Sequence, residues 1–479
     1  MKLSNSTLRV LLSLVLLAVL IAPHSSAYGQ STTKSAEQQT EAVTRWLQRS
    51  ALPLKSVEAG NGFEDLQPLK ETLKDVRIVA LGEATHGTRE FFQFKHRLVE
   101  FLVRELGFTI FAIEVQYMKC LPVNEYVLGG GEDDPAKVVK TNLSGIYQTE
   151  EVVAMVKWMR DYNQTAPPER RVSFRGFDVQ TPHLAADAVS AYLKRVAPDY
   201  LAVVQKTINE TSPKGYRLFW DAYAKRPMAQ KAAMHSRLLQ LAGYLATHQA
   251  RFVRLTSQAE FDVALQAARI LAQSDEVRST PDAQKQANGD KRDRYMAETV
   301  EYLLQRELPG AKAILWAHNF HLWAFQPNAD WARDKTVRAE LRRSQLLFKT
   351  MGAYLREAFG EQYYAFGFMF DQGSFQAIAA EDGNESMEPK EFTLSSSPKG
   401  SGGWQMSQAG LGNFAIDLRA EPGRSAVTEW LNAAQSFRYA GADFSTGWME
   451  KEYTLPIVLC GNFDGVVFIQ KTARARALR

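Results

Sequence analysis

The sequence predicts an α/β fold: a central, mostly parallel sheet flanked by helices and interrupted by a helical insertion. Three observations predict it. From Arg77 to Glu114 an apolar run, a polar turn, a helix-spaced apolar stripe and a second apolar run follow one another, the order of a βαβ unit. Two further apolar runs, over 172–177 and 311–316, have the same strand character, and each stops at a polar residue. From about 182 to 307 the pattern changes, with apolar residues every three or four positions in an Ala- and Leu-rich background and no strand-like alternation.

The first 27 residues are expected to be a signal peptide. Lys2 and Arg9 precede an apolar run over 10–22, Pro23 ends it, and Ser25-Ser26-Ala27 supplies small residues for cleavage. The run is short for a membrane span, and no Cys stands at the cleavage point to carry a lipid. The mature protein is therefore expected to be exported, periplasmic or secreted, with no stable membrane anchor. Residues 28–40, rich in Ser, Thr and Gln, read as a disordered leader. The α/β domain then occupies 41–181, opening with an amphipathic helix over 41–52 (Val43, Trp46, Leu47), and resumes over 310–479 after an insertion at 182–309.

Within the first part, Ile78 to Leu81 is a strand broken by the polar turn Gly82 to Gly87. Phe91, Phe94, Leu98, Phe101 and Leu102 make a helix that Gly107 stops, and Phe108 to Ile113 is the next strand. A helix over 149–163 opens on Thr-Glu-Glu, a cap followed by early negative charge. The third strand, 172–177, stops at Asp178. The fourth, 311–316, runs into Ala317-His318-Asn319-Phe320-His321. A helix over 344–359 and strands over 363–370, 453–458 and 466–470 complete the pattern.

Composition narrows the function classes. Lys and Arg number 57 against 53 Asp and Glu, a net charge of +4; removing the first 27 residues takes away two cations and no acid, leaving +2. That balance implies no nucleic-acid partner, and the basic end 471–479 reads as a solvated tail. Cys120 and Cys460 are the only cysteines, too few for a Cys-based metal site, and spacing leaves open whether they pair. Gly129-Gly130-Gly131 lacks the Lys-Ser/Thr continuation of a phosphate loop. No G-x-S-x-G elbow is present, which disfavours a nucleophilic serine.

Functional groups of a parallel sheet collect beyond the carboxyl ends of its strands. There the sequence sets Glu83, Glu114, Asp178 and His318, with His86 and His321 close by. Two chemistries fit. His86 is a general base oriented by Glu83 and Glu114, with His318 or His321 protonating a leaving oxygen or polarising a carbonyl. Alternatively, two or three of the histidines with one or two carboxylates hold a divalent metal that activates water. Spacing does not separate these, so no cofactor is expected but a divalent metal stays open.

The residues Gly82-Glu83-Ala84-Thr85-His86-Gly87-Thr88-Arg89-Glu90, Gly107-Phe108 and Ala112-Ile113-Glu114 resemble the erythromycin esterase family. Gly176-Phe177-Asp178-Val179-Gln180, Ala317 to His321 and Met351-Gly352-Ala353-Tyr354-Leu355 are similar to it as well. The likeness runs in order from about residue 65 to the C-terminus. It implies hydrolysis of a macrolide lactone or another small-molecule ester by water activated at a histidine, without a covalent intermediate. His86 then matches the family's base, Glu83 and Glu114 its supporting acids, and His318 and His321 its later pair. Lys95 falls where some members carry an active-site Arg; it keeps the charge and loses the bidentate fork. Arg89, inside the first motif, and Asp178 are candidates for binding substrate or supporting the residues that do. The family also includes members associated with succinoglycan biosynthesis, so a non-catalytic role on an envelope polymer is the remaining alternative.

Overall fold

Val79 and Leu81 face one side of the central sheet and Ile78 and Ala80 the other, and all four are wholly buried. A strand covered on both faces must be apolar throughout, which is why these runs stand out in the sequence. The computed structural model describes residues 25–212, 223, 225–279, 285–307, 309–327, 330, 334–380, 388–419 and 425–478. Its strands are β1 (Leu52–Pro53), β2 (Ile78–Leu81), β3 (Ile110–Gln116), β4 (Ser173–Asp178), β5 (Ala313–Trp316) and β6 (Tyr363–Ala379). They continue with β7 (Pro389–Leu394), β8 (Phe414–Asp417), β9 (Ala434–Arg438), β10 (Asp443–Phe444), β11 (Thr454–Val458) and β12 (Gly465–Thr472).

Ten of these join one sheet in the order β1-β8-β12-β6-β2-β5-β3-β4, with β7 and β10 also on β6. Every pairing from β12 through to β4 is parallel, while β8 runs antiparallel to both β1 and β12. The architecture is α/β with a mostly parallel sheet. β5, far along the chain, inserts between β2 and β3, so β2, β5, β3 and β4 are successive neighbours with their carboxyl ends on one edge.

The helices that bear on the site are α1 (Ser25–Ser50), α2 (Arg89–Leu106), α3 (Glu150–Thr165), α4 (His183–Val196), α5 (Pro198–Thr211), α6 (Met228–Thr247) and α7 (Gln249–Leu255). After them come α8 (Gln258–Ser279), α9 (Lys285–Arg306), α10 (Asn319–Leu322) and α11 (Met351–Phe359). Helix α2 packs Phe91, Phe94, Leu98 and Phe101 against one face of the sheet, together with Val79, Phe111 and Ile314. It ends at Gly107, whose φ of 73° lets its N–H reach back to Leu102. Helices α4 to α9 lie between β4 and β5 in the chain and join the core on the opposite face.

Several local expectations are corrected. Of the expected signal peptide, residues 1–24 lie outside the described residues, and the last three open α1. The stretch 28–40, expected to be disordered, is helical: extending an existing helix adds a bond for each residue fixed, without a new nucleus. The helix expected over 344–359 starts only at Met351, capped by Thr350, because Gln345 takes a positive φ of 58° that no helix accommodates. Strand β6 extends beyond 370 to Ala379, and the strand near 453 joins β9 in a separate two-stranded sheet. Cys120 is buried, Cys460 is exposed, and both are free thiols. The basic end is not a solvated tail, for residues 473–478 bond along two loops beside the sheet edge. Among the described residues no helix is long and apolar enough to cross a membrane.

Candidate active site

Glu83 lies two residues past the end of β2, wholly buried, and its carboxylate accepts from four donors. His86 Nδ1 (2.7 Å) and the Tyr147 hydroxyl (3.4 Å) reach Oε1; Lys95 Nζ (2.6 Å) and Trp316 Nε1 (2.8 Å) reach Oε2. Burial alone drives its pKa up, but Lys95 and His86 outweigh that and hold it below the ordinary carboxylate value. An ionised Glu83 fixes the tautomer of its partner: His86 donates Nδ1–H and carries its lone pair on Nε2.

His318 stands beside His86, its ring centroid 5.1 Å from that of His86 and edge-on to Tyr439 at 4.5 Å. It follows β5 and caps the short helix α10, where its Nδ1 accepts the Phe320 N–H at 3.3 Å. With Nδ1 accepting, the proton sits on Nε2, which is buried and has no hydrogen-bond partner among the described residues. Burial, then the neighbouring His86, pushes its pKa down to about 3. His318 is thus a neutral donor beside the His86 ring.

A second group adjoins this one. Arg292, from α9, bonds both oxygens of Asp178 (3.1 Å each) and Oε1 of Glu114 (2.8 Å). Glu114 Oε2 accepts the backbone N–H of His318 at 3.0 Å. The aim of Glu114 follows from an irregularity in β3: Ile113 pairs with Gly176 and Gln116 with Asp178, three residues against two, so the strand bulges there. His321 Nδ1 lies 3.0 Å from each Asp293 oxygen, and its Nε2 lies 3.3 Å from Glu114. Burial opposes a charge on His321 most strongly, but Asp293 and Glu114 together outweigh it and raise the imidazole to about 10. Protonated, it donates to both acids. Arg292 Nη1, 3.1 Å from Nε2, is then a second cation held close by the same carboxylates.

The structure therefore gathers Glu83, His86, Lys95, Glu114, Asp178, His318 and His321 at one edge and revises the expected roles of Glu114 and Arg89. Glu114 does not orient the His86 ring; it serves Arg292, His321 and the His318 backbone. Lys95 is fully buried behind Glu83, 4.2 Å from the centre of the Trp316 ring, and its ammonium holds the acid. Asp178 is the bidentate partner of Arg292. Arg89 turns to Glu151 of α3 at 3.5 Å and belongs to neither group.

Sequence reasoning missed Arg292, Asp293, Tyr147 and Trp316. Arg292 and Asp293 sit in a run of charges that reads as a solvated helix face. Extending the buried stripe Met296, Val300, Leu303 and Leu304 back by one turn lands on them, and that was the available signal. The donor set fits a metal poorly, because the acids are already satisfied by Arg292, His321, Lys95 and His86. Among the described residues, no group of three or more His, Cys, Asp and Glu is arranged to hold an ion.

Comparisons with known proteins bear on the family and the fold. A family profile described as erythromycin esterase matches residues 103–472. The chain is 24% identical over 477 residues to YbfO of Bacillus subtilis, a protein named only provisionally as a hydrolase; the match covers 96% of this chain and 98% of that one. It is 25% identical over 394 residues to the erythromycin esterase type II of Escherichia coli, covering 79% of this chain and 89% of that one. Among solved structures, a Bacillus cereus protein superposes with a TM-score of 0.76 at 25% identity, covering 92% of this chain and 99% of the other. The fold also matches a variant of the erythromycin esterase EreC in its open conformation, with a TM-score of 0.64 at 15% identity, covering 89% of this chain and 98% of that one.

Proposed function

The chain belongs to the erythromycin esterase family, and from that premise we propose that it hydrolyses an ester or macrolide lactone with water activated by His86. The single observation that carries the reading is the buried Glu83–His86 pair beside His318, whose buried Nε2 has no hydrogen-bond partner among the described residues. In the proposed reaction His86 Nε2 takes a proton from water as the water oxygen bonds to the acyl carbon. Glu83, already ionised, stabilises the imidazolium that forms. The carbonyl oxygen, gaining negative charge, receives the His318 Nε2–H. When the C–O bond to the leaving alcohol breaks, His86 returns its proton to that oxygen, and acid and alcohol leave.

Two features support this division of labour. A base needs an acceptor nitrogen and an oriented ring, which Glu83 supplies. An oxyanion partner needs a donor that does not ionise, and burial keeps His318 neutral. His321, engaged by Asp293 and Glu114, is left to organise the floor of the site. The Lys2-to-Ala27 pattern supports export and action on an ester outside the cytoplasm.

The test is product analysis by mass spectrometry on a panel of macrolides and aryl esters, beside His86→Ala. Gain of one water on a substrate, reduced roughly 100- to 10,000-fold in the variant, is the expected result. Near-normal turnover in a folded His86→Ala protein would remove His86 from the mechanism.

A further inference from the structure

Residues 473–478 form a short strap that crosses two turns of the site. Ala475 N–H donates to Gly87 O at 3.0 Å, and Arg89 N–H donates to Ala473 O at 2.9 Å, so the strap grips the turn that carries His86. Further on, Glu150 N–H donates to Arg476 O at 2.8 Å, and Leu478 N–H donates to Gln148 O at 2.9 Å. That grips the turn that carries Tyr147, whose hydroxyl is bonded to Glu83. Thr88 faces Arg474 and Thr149 faces Ala477 as antiparallel bridges, so one chain serves both turns as a shared strand.

The strap is itself fixed. Ala473 N–H donates to Glu90 at 2.7 Å, Arg474 N–H to Ser374 at 3.0 Å, and Arg476 N–H to the Glu151 carboxylate at 3.1 Å. Ala475 is 1% exposed. Gly87 has no room to adjust, because a Cβ there would stand 2.3 Å from the Gln376 carbonyl oxygen, and Gln376 N–H also bonds Gly87 O. These bonds lie one residue from His86 on one side and one residue from Tyr147 on the other.

We propose that residues 473–478 are a positioning element of the hydrolase. By joining the Gly87 turn to the Gln148 turn, they set His86 and Tyr147 around Glu83. The proposal rests on the hydrolytic reading above only for its kinetic consequence. The strap touches no reacting group, so its loss misplaces the base without removing it. A displacement near 1 Å lowers turnover on the order of a hundredfold.

The experiment compares the full chain with a chain ending at Thr472 and with Ala475→Pro, which removes the donor to Gly87. Ala477→Pro is the control, since Ala477 N–H donates none of these bonds. Two readouts are taken: kcat and KM on the ester panel, and the substrate-free titration of the His86 ring by NMR. The expected result is a kcat lowered by about tenfold or more in both strap variants. KM should stay within about twofold, and the His86 titration should be displaced. The control should behave as the full chain, and an added peptide of residues 473–479 should restore the truncated protein. Unchanged kcat and unchanged His86 titration in Ala475→Pro would overturn the proposal, even if the truncated chain failed to fold. If the full chain hydrolyses no ester, the hydrolytic reading fails separately, and the titration alone then decides whether the strap positions His86.

Discussion

At the scale of single residues, the state of Glu83 depends on one buried cation. Its four donors include two neutral groups, Tyr147 and Trp316, and two that carry or acquire charge, Lys95 and His86. Burial pulls Lys95 down to about 8, against the opposing pull of Glu83. The charged form is the one that steadies Glu83, so turnover should fall as pH rises past about 8. In Lys95→Met that alkaline limb should vanish and the rate should already be low, by about tenfold or more, because the ionised partner of His86 loses its counter-ion. The same change strands a carboxylate in the core and should lower stability by about 3–5 kcal/mol, measured by urea unfolding. A variant that keeps both its rate and its alkaline limb would show that Lys95 does not act through Glu83. The acids and histidines were legible in the sequence as residue types at strand ends. Their pairings were not, because whether Glu83 or Glu114 meets His86 is set by a bulge in β3 and by the path of the turn after β2, and neither leaves a mark in spacing.

At the scale of elements, α10 is a single turn that carries both late histidines, and Asn319 between them pins it to the sheet. The Asn319 side chain accepts from Phe368 N–H at 2.9 Å and donates to Phe368 O at 2.8 Å, copying the bonds of a neighbouring strand. Asn319→Ala leaves a buried N–H and C=O of β6 without partners, at about 1–3 kcal/mol for each group. We expect a loss of several kcal/mol in chemical denaturation and a drop in kcat larger than the change in KM, since His318 shifts with its turn. Asn319→Asp should recover the bond from Phe368 N–H alone, giving an intermediate stability; equal stability of all three proteins would deny the pinning role. The strands that a reader finds in the sequence are those buried on both faces, such as β2 and β5, whose apolar runs are continuous. Strands β1 and β8 are short, so the sheet edge they build was not visible. Helix α1 was cut short in the reading because its first turns are polar.

At the scale of the whole molecule, α9 ties the helical insertion to the sheet edge. Arg292 holds Glu114 and Asp178, while the adjacent Asp293 accepts from His321 and from Met351 N–H, the start of α11. The insertion was legible as helical, but not this fastening, because consecutive charges on a surface-like run are what an exposed helix also shows. The fastening should appear in the pH dependence of global stability. His321 titrates near 6.5 when unfolded and near 10 in the fold. A folded-state pKa above the unfolded one means that the native protein binds the extra proton between those values. Its contribution is therefore complete below pH 6.5, declines as pH rises, and is gone above about 10. Unfolding free energies from urea titrations at pH 6 to 10 should show this decline in the natural chain. In His321→Gln the decline should flatten, with the difference between the two proteins greatest at the acid end, where the lost cation had been worth most to Asp293 and Glu114. If the curves run parallel across that range, His321 is not charged in the fold, and its contact with Arg292 Nη1 becomes an accepted hydrogen bond to a neutral ring.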